Sequence, residues 1–171
     1  MNAPEIRKLT NALETVEQLV DILISTVAAG GSVGFMHPVS LVEARAFWER
    51  VLQDATEGNR VIFGAWDGSR LLGTVTLITG MPPNQPHRAE IAKMMTHPDA
   101  RKQGIASRLI RAAEAEAVAH GKTLLVLDTA TDEGAGPFYE KLGYTLTGEI
   151  PDFALKPHGG LTGTLFYWKR L

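Results

Sequence analysis

The chain has 171 residues, 44% of them hydrophobic and 21% charged, with a net charge of −2 and no cysteine. That length fits one domain, 1–171, with a sizeable core, and the composition is that of an ordinary globular protein. The charge balance provides no field to draw in nucleic acid or anionic lipid, and the lack of cysteine excludes a disulfide scaffold, a thiol nucleophile and thiolate metal sites.

The first twenty residues contain no apolar core of signal-peptide length, because Glu5, Arg7, Lys8, Glu14 and Glu17 interrupt it. No run reaches the ~18–20 apolar residues of a membrane span. The expectation is a cytoplasmic protein that binds neither membrane nor nucleic acid. "EIRKLT" reads as a first strand. "TVEQLVDILISTVAAG" repeats apolar residues at helical spacing (Val16, Leu19, Val20, Leu23, Val27) and stops at Gly30-Gly31. "GGSVGFMHPVS" is then a loop. Ser40 is placed to cap a second helix, "LVEARAFWERVLQDATEG", with Glu43 at the capping-box position.

"RVIFGAW" and "LLGTVTLITG" read as strands joined by "DGSR", with Asp67-Gly68 as the hairpin signal. A Pro-rich turn, "MPPNQPH", leads into a strand, "RAEIAKMMTH", where alternation puts Glu90, Ala92, Met94 and Thr96 on one face. A third helix runs from "SRLIRAAEAEAVAHG", with Ile105, Leu109, Ala113 and Ala117 inward and Arg108, Arg111 and Glu114 outward. Glu116 falls inside its apolar arc. "TLLVLDTA" is a short run suited to a sheet centre, "GAGPFYEKLG" a short helix with Pro137 in its first turn, and "YTLTGEI" and "GTLFYWKRL" closing strands. The order β-α-α-β-β-β-α-β-α-β-β gives an α/β (α+β) protein with a mixed sheet and four helices, not a Rossmann alternation. Five scattered histidines have no metal-ligand spacing, and no metal site is expected. His97, before Pro98, reads as a turn residue, and Trp48 as core.

At the joint before the third helix the chain reads "DARKQGIAS". A helix N-terminus presents unpaired N–H groups and favours anions. Gly104 lets backbone approach a ligand, and Arg101 and Lys102 can add contacts to phosphate. A solvated turn explains the same stretch equally well when it is taken alone.

Three segments together carry a resemblance. Arg101-Lys102-Gln103-Gly104-Ile105-Ala106 fits [RQ]-x-x-G-x-[GA], "MMTHP" precedes it, and "FYEKLGY" (Phe138 to Tyr144) follows in order. Over at least residues 60–145 the chain resembles the GNAT superfamily of N-acetyltransferases. "GGSVGFM" and "LDTATDEGAGPFYEKLGYTLTGEIPDFALKPHGG" further resemble the tabtoxin-resistance acetyltransferase group. The resemblance implies a mixed sheet of six to seven strands that splays between "AEIAKMMTH" and "TLLVLDTA". Acetyl-CoA would be the cosubstrate, its pantetheine arm beside Met94, Met95 and Thr96 and its pyrophosphate on residues 101–107, Ser107 included. Where many members place Asn before the last helix, this chain has Asp132 or a neighbour.

Acetyl transfer to an amine needs a proton acceptor, a polarised thioester carbonyl and help for the departing thiolate. Glu90 and Asp128, expected on neighbouring strands, are the carboxylate candidates for base or substrate seat; Arg88 could instead simply pair with Glu90, and Asp128 could be a turn residue. Tyr139 packs as core on sequence pattern, whereas the resemblance makes it the general acid. Phe35, Met36 and His37 are candidates for the acceptor pocket, with Glu90 and Asp128 as substrate contacts. The resulting expectation is direct transfer from acetyl-CoA to a primary amine of a small, amino-acid-like compound or toxin. The alternatives are a protein-lysine or N-terminal acetyltransferase and a non-catalytic acyl-CoA-binding module. The C-terminal strands could pair across a homodimer.

Overall fold

The computed structural model describes residues 3–171. Seven strands form one sheet: β1 (Glu5–Lys8), β2 (Arg60–Asp67), β3 (Arg70–Ile78), β4 (Arg88–Thr96), β5 (Leu124–Ala130), β6 (Thr145–Leu155) and β7 (Leu161–Arg170). Their spatial order is β1-β2-β3-β4-β5-β7-β6. Every neighbouring pair is antiparallel except β4 and β5, which are parallel and joined through a helix, as a parallel connection requires. The helices are α1 (Leu13–Ala28), α2 (Leu41–Thr56), α3 (Ile105–Ala119) and α4 (Gly136–Lys141). Element order and the mixed, open sheet are as the sequence predicts.

The two sheet faces carry two cores. One packs α3 and Tyr139 of α4 against Phe63, Val75, Leu77, Ile91, Leu125 and Tyr167. The other packs α1 and α2, through Leu19, Leu23, Trp48 and Leu52, against Ile62, Leu71 and Met95. Ile105, Leu109 and Ile110 are fully buried on α3, each contributing roughly 1.5–3 kcal/mol by removal from water. Gly73 makes that contact possible. A Cβ there would lie 2.8 Å from the Met95 carbonyl oxygen and 3.2–3.3 Å from Ile105 and Leu109 side chains.

Ser40 caps α2 as expected, its Oγ accepting from the Glu43 N–H at 3.1 Å. Several sequence expectations change in detail. The hairpin loop is Gly68-Ser69, with Asp67 and Arg70 already paired, so the glycine (φ 58) occupies the first turn position. Helix α3 starts at Ile105, two residues before Ser107, because left-handed Gly104 (φ 74) turns the chain directly into it. Glu114 does not face outward: it accepts from Lys169 Nζ at 2.8 Å. Glu116, within the apolar arc, reaches Lys8 of β1 at 2.7 Å. β6 runs past Ile150 to Leu155 despite Pro151. As the edge strand it can hold a proline, which falls where the register to β7 shifts between Ile150 and Ala154.

The largest correction concerns β4. Thr74 faces Met95 while Thr76 faces Ala92, so β4 carries one extra residue there. Lys93 (φ 50) forms the bulge. Side-chain alternation reverses across it. Met94 consequently joins the α3 side of the sheet with Ile91, while Met95 packs with α1 and α2. Glu90, Ala92, Met94 and Thr96 therefore do not form the single face that simple alternation predicts.

Candidate active site

β4 and β5 pair at only three positions, Arg88–Leu124, Ala89–Leu125 and Glu90–Val126, and then separate. A cleft of about 830 Å³ opens in the gap. The β5-side edge of β4 beyond Glu90 thus borders the cleft instead of a strand. Met94, Met95 and Thr96 line one wall, and Asp128, Thr129 and Ala130 the other.

At one end lies the joint between β4 and α3. Arg101, Lys102, Gly104, Ile105, Ala106 and Ser107 line the cleft there, and Gln103 does not. Lys102 (φ 63) and Gly104 (φ 74) are both left-handed, and no side chain caps the helix. Alternating backbone hands turn successive N–H groups toward one point, and the first turn of α3 adds its own free N–H groups. With the exposed Arg101 and Lys102, this end is built to receive an anion.

At the other end, Asp128 Oδ2 lies 3.1 Å from the buried Thr164 hydroxyl, whose one proton it shares with the Thr129 carbonyl at the same distance. Tyr139, 6% exposed, lines the cleft from α4. Its ring packs among Phe138, Tyr144 and Tyr167. Burial raises its pKa well above the usual phenol value, and the charges of Glu133 and Asp128 push it further. The phenol therefore keeps its proton throughout the neutral range.

Of the other sequence candidates, Glu90 is bound to Arg88 Nη1 at 2.5 Å and lies outside the cleft lining. Of the two carboxylates expected to flank one amine, only Asp128 borders the cleft. Phe35 packs edge-on against Phe47, with centroids 5.1 Å apart, and Met36 is exposed. The loop instead lines the cleft through Gly30–Gly34. Asp132 also lies outside the lining, accepting from Lys156 Nζ at 3.3 Å. His97 is a turn residue, held by Asp99 at 2.6 Å, and Trp48 is core.

Two further titratable residues line the cleft: Glu133, the neighbour of Asp132, and Lys93. Glu133 accepts from the Ser32 N–H, linking the α1–α2 loop to the segment before α4. Loss of water around its carboxyl raises its pKa, outweighing the opposing pull of that N–H and of Arg101. Lys93 Nζ donates to the Val33 carbonyl at 2.7 Å. Burial lowers its pKa, opposed by the charge of Asp128. A lysine within an otherwise apolar strand segment was the one available sequence signal for it.

A mixed sheet opened between two parallel strands, with an anion-ready helix start at one end of the gap, defines the architecture of an acyl-CoA-dependent transferase. The chain belongs to the acetyltransferase (GNAT) family, whose model matches residues 33–144. Solved structures of the same fold include a GCN5-related N-acetyltransferase from Kribbella flavida, with 19% identity over 99% of this chain and 98% of that one, TM-score 0.82. The yncA protein of Salmonella typhimurium, solved with its cofactor acetyl-CoA, shares 18% identity over 99% and 95%, TM-score 0.79. A ribosomal-protein-alanine N-acetyltransferase from Brucella melitensis shares 18% over 98% and 99%, TM-score 0.79.

Proposed function

We propose that the chain is an acetyl-CoA-dependent N-acetyltransferase that acetylates a primary amine of a small molecule by direct attack. The observation that carries this is the single cleft running from the anion-ready start of α3 to Asp128 and Tyr139. The residues present fit acetyl-CoA. The 101–107 loop offers N–H groups and two cations to a pyrophosphate, and the unpaired edge of β4 offers backbone groups to an amide-bearing arm. When bound, acetyl-CoA supplies an acetyl group activated as a thioester.

The chain's own residues do the rest. Asp128, oriented by Thr164, seats the acceptor's ammonium and takes up the proton that the amine must lose. Tyr139 holds its proton at Oη, available to a departing thiolate. Glu90, engaged by Arg88, has no assigned part.

A small acceptor is favoured because the α1–α2 loop borders the cleft through Gly30–Gly34 and is held in place there. That loop is tied down by Lys93 to Val33, by Glu133 to Ser32 and by the Pro157 carbonyl to the His37 N–H at 2.9 Å. The finer likeness to the tabtoxin-resistance group, carried by "GGSVGFM" and the 127–160 stretch, agrees with a toxin or metabolite acceptor. The test is CoA release from acetyl-CoA against a panel of small amines, amino acids and lysine peptides. Turnover confined to small amines is expected. Turnover of peptides alone, or acetyl-CoA binding with no turnover, would overturn the proposal.

A further inference from the structure

Three cations line the cleft among the described residues, and two of them, Arg101 and Lys102, belong to the α3 end. Lys93 stands apart, beside the Gly30–Gly34 loop and within electrostatic reach of Asp128. Its position is built. The β4 bulge gives it a left-handed backbone (φ 50), unusual for a side chain without Asn- or Asp-like local bonding. The same bulge re-aims it out of the strand's regular alternation.

The loop is shaped around its ammonium. Gly34 is itself left-handed (φ 89), and a Cβ there would lie 3.3 Å from Lys93 Nζ. One ammonium proton goes to the Val33 carbonyl at 2.7 Å. An ammonium has three donors, so two remain without a protein acceptor among the described residues. The Phe47 ring, 5.7 Å away, adds a cation-facing wall but no acceptor. Lys93 borders the cleft, so an anion bound there can take up these donors in place of water.

We propose that Lys93 is the carboxylate anchor of the acceptor site, so that the acceptor is an amino-acid-like zwitterion with its ammonium at Asp128 and its carboxylate at Lys93. This rests on the acetyltransferase reading above and names the substrate class for it. Fixed charges of opposite sign lining one cleft suit a molecule carrying both charges. They disfavour a plain amine, which would leave Lys93 unpaired. Desolvation lowers the Lys93 pKa, and an anion placed against Nζ reverses that loss.

The test measures kcat/KM in the CoA-release assay for the twenty amino acids, then for the methyl ester and the decarboxylated amine of the best one. Wild-type protein should favour the free acid by about tenfold to a hundredfold, the worth of a charge-assisted contact. Lys93→Met should collapse that ratio to within about threefold, mainly through the KM for the acid, and Lys93→Arg should restore part of it. A wild-type protein that acetylates none of the twenty, or that prefers the ester or amine, overturns the proposal without requiring any variant. A ratio that survives Lys93→Met, with all acceptors falling by one factor, makes Lys93 only a tether for the loop. Acetyl-CoA titration of the same samples separates the two readings. Binding and amine turnover without acid preference removes the anchor alone, whereas no acetyl-CoA binding removes both.

Discussion

Gly104 offers a quantitative test because backbone strain and ligand repulsion can be separated there. Its φ of 74 is left-handed, and a Cβ at this position would meet nothing within 4 Å. Gly104→Ala therefore adds no clash, only the cost of holding an L-residue in that region, about 1–2 kcal/mol. At this chain length that is a Tm fall of roughly 2–8 °C. Gly104→Glu carries the same strain, and its carboxylate beside the free N–H groups of α3 recovers roughly 0.3–1 kcal/mol. Its fold should match that of the alanine variant. Toward a bound pyrophosphate the two variants differ sharply. Two negative charges about 5 Å apart at an effective dielectric of about 20 repel by roughly 3 kcal/mol, about a hundredfold in Kd. Calorimetric titration of acetyl-CoA, with thermal unfolding of each variant, measures both effects. The alanine variant should bind within a few-fold of wild type and the glutamate variant at least about a hundredfold more weakly. A folded glutamate variant with wild-type affinity would refute the assignment of this loop.

Two further outcomes follow from the same geometry. Tyr139→Phe should lower kcat about a hundredfold or more with little change in the KM for acetyl-CoA, read by steady-state kinetics; wild-type turnover would leave Tyr139 as packing alone. Glu133 has a folded pKa raised above the ordinary 4.5, so the folded state holds its proton more tightly than the unfolded one. Its contribution is most favourable below pH 4.5 and is lost as pH rises through the folded pKa. The stability of Glu133→Gln relative to wild type, from urea unfolding at pH 4 to 8, should therefore grow with pH above that value; a pH-independent difference would contradict the shift.

Element order was legible because apolar periodicity and turn residues act locally. Ser40 with Glu43, Gly30-Gly31 and the short helix from Pro137 all mark boundaries by their own chemistry. The α3 joint was legible only in company: one glycine before a helix start fits a solvated turn as well, the ordered "MMTHP" and "FYEKLGY" segments tip the reading, and the left-handed Lys102 beside Gly104 emerges only in the structure. The bulge at Lys93 was hidden because it arises between β3 and β4: "EIAKMM" alternates well enough on its own, and only the pairing of Thr74 and Thr76 reveals the extra residue. Asp132 and Glu133 are adjacent carboxylates in a single 3₁₀ turn, Thr131–Glu133. Which of them turns inward depends on that turn and on the Ser32 N–H that meets Glu133. Phe35 looked available as a loop aromatic, but Phe47 of α2 claims it, leaving the neighbouring glycines to line the cleft. Glu90 and Arg88, two residues apart on one strand, meet in the ion pair that their spacing allows.

The place proposed for the donor is the gap where β4 parts from β5. Amide hydrogen exchange of the full chain, with and without saturating acetyl-CoA, tests it most directly. Exchange should slow chiefly in residues 92–96 and 101–107. Slowing confined elsewhere would contradict it, for instance at the separate hollow of about 290 Å³ bordered by Arg7, Thr10, Trp66 and Ser69.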